Sequence, residues 1–247
     1  MLNLCAPERT VRRNTHLALV LTAIAGILNS VGFVAVATYT SHMTGIVASM
    51  ADAAVLHAPG LVGTGLLALA MFILGAVVCA LVFNWGRVNG LRSRYANILL
   101  LEGVGMLVFG LLAEHVRDAH RPLVVVAVLC FTMGLQNALI TKIRDFPVRT
   151  THVTGMVTDI AVELGRILYR SRDAAPVRGD REKLRVLTVL VGLFFLGGIV
   201  GTLGYWGMGF GALVFGAALI LTASLPPIAR DFAGPGTGPA RRGGVAA

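Results

Sequence analysis

A stretch between Gly26 and Ala54 is written a second time between Gly134 and Leu164, and no other feature limits the possible folds as strongly. Gly134-Leu-Gln-Asn137 repeats Gly26-Ile-Leu-Asn29, and Thr151-His152-Val-Thr154-Gly155 repeats Ser41-His42-Met-Thr44-Gly45. With the Thr-Gly pairs aligned, Met43, Ile46, Val47, Met50 and Ala54 fall on Val153, Met156, Val157, Ile160 and Leu164. That i, i+3, i+4, i+7, i+11 spacing is the apolar stripe of an amphipathic helix. A duplication of this kind is read as architecture before any single residue is read as chemistry.

The segments around the duplicated motifs are long and apolar. Residues 17–38, 60–83, 96–113, 122–141, 186–203 and 208–225 each approach the ~20 apolar residues that cross a bilayer as a helix. With 56% hydrophobic residues, 13% charged residues and a mean hydropathy of +0.79, the chain is expected to be an integral membrane protein rather than a soluble domain. A cleaved signal peptide is the rival reading of the first stretch, but the apolar run is too long and its Asn29 recurs far from the terminus. Cys5, Cys79 and Cys130 are far apart and suggest neither a disulfide framework nor a metal site. No nucleophile elbow, zinc-protease helix or phosphate loop is present, so neither an enzyme nor a cofactor is expected.

The formal charge of +9 suggests nucleic acid at first sight. The basic residues lie in connections between apolar spans, however, so they read as topology determinants and no nucleic-acid partner is expected. With the N-terminus inside, 19 of the 21 Lys and Arg residues fall on the cytoplasmic side and only Arg117 and Arg121 fall outside. The expected architecture is therefore all-α with six transmembrane helices and both termini in the cytoplasm of a bacterial inner membrane. Residues 1–16 form a cytoplasmic segment, 17–225 a single membrane domain, and the Pro/Gly/Arg-rich residues 226–247 a disordered tail. The last two spans are expected to turn at Gly204-Tyr-Trp-Gly207.

Each copy of the duplication, residues 16–113 and 122–225, holds three spans and one amphipathic helix after the first. Three is odd, so the second copy enters from the opposite side and the repeats are inverted, as in many secondary transporters. The amphipathic segments, 39–58 and 151–169, are either re-entrant helices or helices lying flat in the interface. If re-entrant, they direct free backbone amides and about half a positive charge toward the midplane. Thr150 or Thr151 is expected to cap the second.

The candidate site consists of Asn29, Ser41, His42, Thr44, Gly45, Glu102, Asn137, Thr151, His152, Thr154 and Gly155 as substrate-binding residues. Asn29 and Asn137 carry mid-span amides that must find partners, either in stapling each repeat together or in holding a ligand. His42 and His152 can relay protons, because imidazole changes charge near neutral pH, or simply bond nearby carbonyls. Glu102 qualifies because a carboxyl inside a span is costly to keep without a role. Asp159, Glu163 and Arg166 read as a solvated polar face.

Gly26-x-x-Asn29, Ser41-His-Met-Thr-Gly45, Met133-Gly-x-Gln-Asn137 and Val148-Arg-Thr-Thr-His-Val-Thr-Gly155 together resemble the YoaK family of bacterial inner-membrane proteins, a group of unknown function. The resemblance covers residues 16–225 and implies six spans and a bacterial membrane. The family pattern often has Asp in place of Asn29 and Asn in place of Ile46, departures that argue against proton coupling through the first span here. The functional expectation is a small secondary transporter or facilitator for a small polar or anionic solute, with its site between the repeats. A non-transporting scaffold or accessory subunit is the alternative. Its partners are then the lipid bilayer and a small-molecule solute, and a homo-oligomer is compatible with either reading.

Overall fold

A computed structural model describes residues 11–142, 150–169 and 179–233, and these are helical almost throughout. The helices are α1 (Val11–Val36), α2 (Met43–Val55), α3 (Pro59–Val88), α4 (Arg94–Leu112), α5 (Arg121–Thr141), α6 (Val153–Leu168), α7 (Arg181–Met208) and α8 (Ala212–Ala233). Single 3-10 turns, Ala113–His115 and Gly209–Gly211, follow α4 and α7. Among the described residues there is no strand. Apolar composition makes this the expected outcome, since a helix satisfies its own backbone hydrogen bonds where water cannot.

Among the described residues, five helical runs are long and apolar enough to cross a membrane: Arg13–Val36, Pro59–Val88, Arg94–His115, Arg121–Thr141 and Arg181–Ala229. The last, of 49 residues, contains two helices, α7 and α8, and the turn between them. Leu66, Ile73, Leu81, Phe195, Val200 and Phe215 stand exposed along α3, α7 and α8. So much exposed apolar surface is a face for hydrocarbon.

The core lies where α1 and α5 run through the middle. Leu17, Leu21, Ile24 and Leu28 of α1 pack with Leu129, Met133, Leu135 and Leu139 of α5, while Ile98 and Met106 of α4 and Leu213 and Ile220 of α8 close it. The pairings exchange partners between the two halves of the chain. α1 lies along α7 and α5 along α3, while α2 rests on α3, α6 on α7, and α4 on α8.

Glycine sets the approach at both exchanged pairings. A Cβ on Gly134 would stand 2.0 Å from the Phe72 carbonyl oxygen, and one on Gly75 2.0 Å from that of Phe131. The same closeness recurs between α1 and α7, where a Cβ on Gly26 would stand 2.2 Å from the Phe194 carbonyl oxygen and one on Gly197 2.2 Å from that of Ala23. The equivalence is written in the chain, since Phe72-Ile-Leu-Gly75 repeats as Phe194-Phe-Leu-Gly197.

The boundaries differ from expectation in three places. Helix α1 starts at Val11, not after residue 16. The turn expected at Gly204–Gly207 falls later, at Gly209, whose φ of 57° closes α7. Glu114 pins it there, accepting the Phe210 N–H at 3.2 Å, while Phe210 packs edge-on against Phe109 and Tyr205. Finally, the tail expected from Pro226 is helical to Ala233, through Pro226 and Pro227. Asp231 ties it down by accepting the Ser93 N–H at 2.7 Å, at the start of α4. The remaining tail, 234–247, lies outside the described residues, as do 1–10.

Gly134→Ala should therefore destabilise the protein by about 1–3 kcal/mol through overpacking. Gly63→Ala, where a Cβ meets open space, should not. Thermal unfolding of the two purified variants in detergent measures the difference, and equal melting temperatures would contradict the packing described.

Candidate functional site

The two amphipathic helices begin in the same way. His42 and His152 each precede the first helical residue, with φ/ψ of −91°/66° and −90°/64°, and neither side chain caps its helix. Thr151 does not cap α6 as expected. Its hydroxyl instead donates to the Asn137 Oδ1. In the first copy the Asn29 Oδ1 accepts both the backbone N–H and the hydroxyl of Ser41, each at 3.0 Å. Each asparagine uses its own amide N–H on the preceding turn, Asn29 to the Ala25 carbonyl and Asn137 to the Met133 carbonyl, both at 2.8 Å. The mid-span amides thus hold the entrance of each amphipathic helix to the helix before it. One step earlier, the Thr40 and Thr150 hydroxyls are both fully buried without a hydrogen-bond partner.

Gly45 and Gly155 are small because the histidine folds back on them. A Cβ at Gly45 would stand 2.1 Å from the His42 ring and one at Gly155 2.5 Å from that of His152. The close approach at each of these glycines is made by an imidazole.

These two entrances face one cleft of about 740 Å³. Asn29, Ser41, His42 and Thr44 line it from one copy and Asn137, Thr151, His152 and Thr154 from the other. Phe72 and Phe194, not singled out from the sequence, complete its wall together with Tyr39. The duplicated Phe-x-Leu-Gly segments were the signal for the first two. Among the described residues the lining carries no Asp, Glu, Lys or Arg, so their polarity comes from amides, hydroxyls, imidazoles and backbone. The first N–H groups of α2 and α6 have no partner within their own helices, which leaves a partial positive charge at each start. A second hollow of about 340 Å³, between α2 and α3, shares Tyr39 and His42 and contains Gly45.

Glu102 is not brought to this cleft. It lies midway along α4, buried, in a separate hollow between α4 and α5. The polar residues of α6 also depart from expectation, because Glu163 is not solvated. It is 1% exposed and accepts the Asp180 N–H at 3.0 Å, with Arg166 at 3.0 Å and Lys183 at 3.3 Å. Asp180 in turn caps α7, accepting the N–H groups of Glu182 and Lys183 at 2.9 Å. Glu163 therefore clasps the end of α6 to the beginning of α7. In the first copy the aligned position is Ala53, buried against α3 without any such clasp.

A helical chain with several membrane-crossing runs and a polar cleft enclosed among them is a multi-pass transmembrane protein. The chain belongs to the family described as Protein of unknown function (DUF1275), which matches residues 17–225. It is 25% identical over 191 residues to the UPF0700 transmembrane protein YoaK of Bacillus subtilis (strain 168), a match that covers 76% of this chain and 82% of that protein. No solved structure matches it.

The hydrogen bond from the Asp180 N–H, followed by the two cations, holds the Glu163 carboxyl below its usual range. A carboxyl lowered in the folded state stabilises above its unfolded value and loses that contribution as pH falls through the folded one. The α6–α7 clasp should thus persist at neutral pH and open only below the ordinary carboxylate range. Limited proteolysis after residue 169 should accelerate there, and Glu163→Gln should show the faster cleavage already at pH 7.

Proposed function

We propose that this protein is a small secondary transporter or facilitator for a small polar or anionic solute, not an enzyme, with the site in the cleft between two inverted three-span repeats. The observation that carries this reading is that both duplicated Thr-Gly helix starts line one cleft. An anion suits uncapped helix N-termini, two imidazoles and a lining without acidic side chains among the described residues. Six spans follow if α7 and α8 each cross, and the exchanged pairings of α1 with α7 and α5 with α3 support a two-fold relation lying in the membrane plane. On this reading α2 and α6 are re-entrant, both termini are cytoplasmic by the distribution of Lys and Arg, and the location is the bacterial inner membrane.

Within the site, Asn29 and Asn137 are positioning residues, since their oxygens are already engaged by Ser41 and Thr151. Thr44, Thr154, the imidazoles and the backbone amides are left to meet the solute. The same engagement of the asparagines favours the second reading, a scaffold whose polar groups only hold its helices together.

Water access separates the two. With Cys5, Cys79 and Cys130 replaced, Thr44→Cys and Thr154→Cys should both react with a membrane-impermeant methanethiosulfonate reagent, from whichever side the cleft is open. Reagent applied from opposite faces should also distinguish cysteines at Asp118 and Gly179. Two unreactive threonine positions would mean a dry interface and leave the scaffold. Uptake or resistance profiling of a deletion strain, complemented by wild type but not by Gly45→Val or Gly155→Val, then identifies the solute class.

A further inference from the structure

The hollow that contains Glu102 differs from the cleft in every respect that decides what it can hold. Its volume is about 420 Å³, within the ~300–1,000 Å³ range of small-molecule sites. Its walls are aliphatic and aromatic, with Val124, Val128 and Phe131 of α5 facing Val104, Val108 and Phe109 of α4. Two polar side chains line it, and one is occupied: the Thr132 hydroxyl donates to the Val128 carbonyl at 2.8 Å. The other is Glu102, 1% exposed, with no hydrogen-bond partner for either carboxyl oxygen.

Leu101, Val104, Val108 and Leu112 form the side of the hollow that faces outward, and all are exposed on the surface of a membrane-crossing helix. The mouth therefore opens between α4 and α5 toward hydrocarbon, not toward water. The helices packed against α4 bring little countercharge to this level. Cys79 of α3 lies within electrostatic range of Glu102, and Lys142 at the end of α5 acts on the same thiol. Cys130 of α5 is buried on the side of Ala68 and Val126, and α8 faces Gly103 with Leu221 and Ile220. A lone carboxyl in such surroundings needs a proton or a cation, because a bare carboxylate in the bilayer interior is costly.

We propose that this hollow is a second binding site, for a monovalent organic cation with an apolar body, which enters from the bilayer and takes the place of the Glu102 proton. The chemistry is one of exchange: the carboxyl O–H gives up its proton to bulk water, the carboxylate pairs with the cation, and no other covalent bond of the protein or the ligand changes. The apolar walls take up the body of the ligand and the carboxylate takes its charge. Proton and cation are mutually exclusive because there is one acidic group and room for one partner. This inference does not depend on the cleft's being a transport site.

Tetraphenylphosphonium is the probe. Purified full-length protein in detergent should bind it saturably, releasing about one proton per cation in weakly buffered solution. Apparent affinity should rise about tenfold per pH unit while the carboxyl is protonated. Glu102→Gln should weaken binding at least tenfold and abolish the proton release. Gly105→Leu is the companion variant, because Gly105 lines the hollow and a Cβ there meets open space, so it should fold, obstruct the mouth and weaken binding with the carboxyl intact. Glu163→Gln, outside both sites, should bind as the wild type does. The proposal is overturned if the wild type shows no saturable binding, if it binds without releasing a proton, or if Gly105→Leu binds unchanged. Should Glu102→Gln fail to fold, proton release from the wild type and the Gly105→Leu result decide.

Discussion

Backbone-to-backbone contact through glycine is the constraint on which this structure rests. In hydrocarbon, apolar side chains gain little by leaving lipid for one another, so helices associate through close packing and polar contacts. Gly26 and Gly197 let α1 and α7 touch at the carbonyls of Phe194 and Ala23, and Gly75 and Gly134 do the same for α3 and α5. These contacts fix how far each first helix stands from its neighbour, and hence where Asn29 and Asn137 lie. From the asparagines, hydrogen bonds to Ser41 and Thr151 fix where the amphipathic helices begin. The cleft is the space left by that chain of dependencies.

Polar groups within this frame fall into two sorts. Some are satisfied and hold elements together: Glu163 between α6 and α7, Asp231 at the start of α4, and Glu114 at the α7–α8 turn. These occur at helix ends. Asp231 and Glu114 are counterparts, the end of α8 holding the start of α4 and the end of α4 holding the start of α8, whereas Glu163 has none, since Ala53 stands at its aligned position. Others remain unsatisfied, among them the Glu102 carboxyl and the buried hydroxyls of Thr40 and Thr150. Unsatisfied buried groups are expensive.

Much of this was legible in the sequence because periodicity and duplication survive translation into structure. Gly26-x-x-Asn29 and Gly134-x-x-Asn137 marked the packing glycines and the hooks together, and the Thr-Gly motifs marked both helix starts. The His42 and His152 rings against Gly45 and Gly155 were not readable, because nothing in the sequence says which side chain folds back onto a turn. Gly204 and Gly207 misled, since glycine inside a membrane helix is a packing residue as often as a breaker. Pro226 misled because the segment beyond it packs Ile228 against the core and is tied by one carboxylate, Asp231, to a backbone N–H 138 residues away. Glu102 was conspicuous in the sequence as a carboxyl inside a span, but only coordinates separate it from the asparagine cleft. Glu163 looked like surface because a sequence does not reveal what the far end of a loop brings back.

The exchange of partners between the halves has a consequence in time. Helix α1 leaves the ribosome first, yet the helix that covers Gly26 is not complete until Gly197 has been made, roughly 170 residues later. At ~5–20 residues per second, that is on the order of 10 to 30 seconds during which the face of α1 around Gly26 has no permanent neighbour. The first half cannot finish folding alone, because its own third helix is reserved for α5. The nascent chain must therefore be held open in the bilayer, with α1 waiting for α7, and the two halves reach their native packing together or not at all.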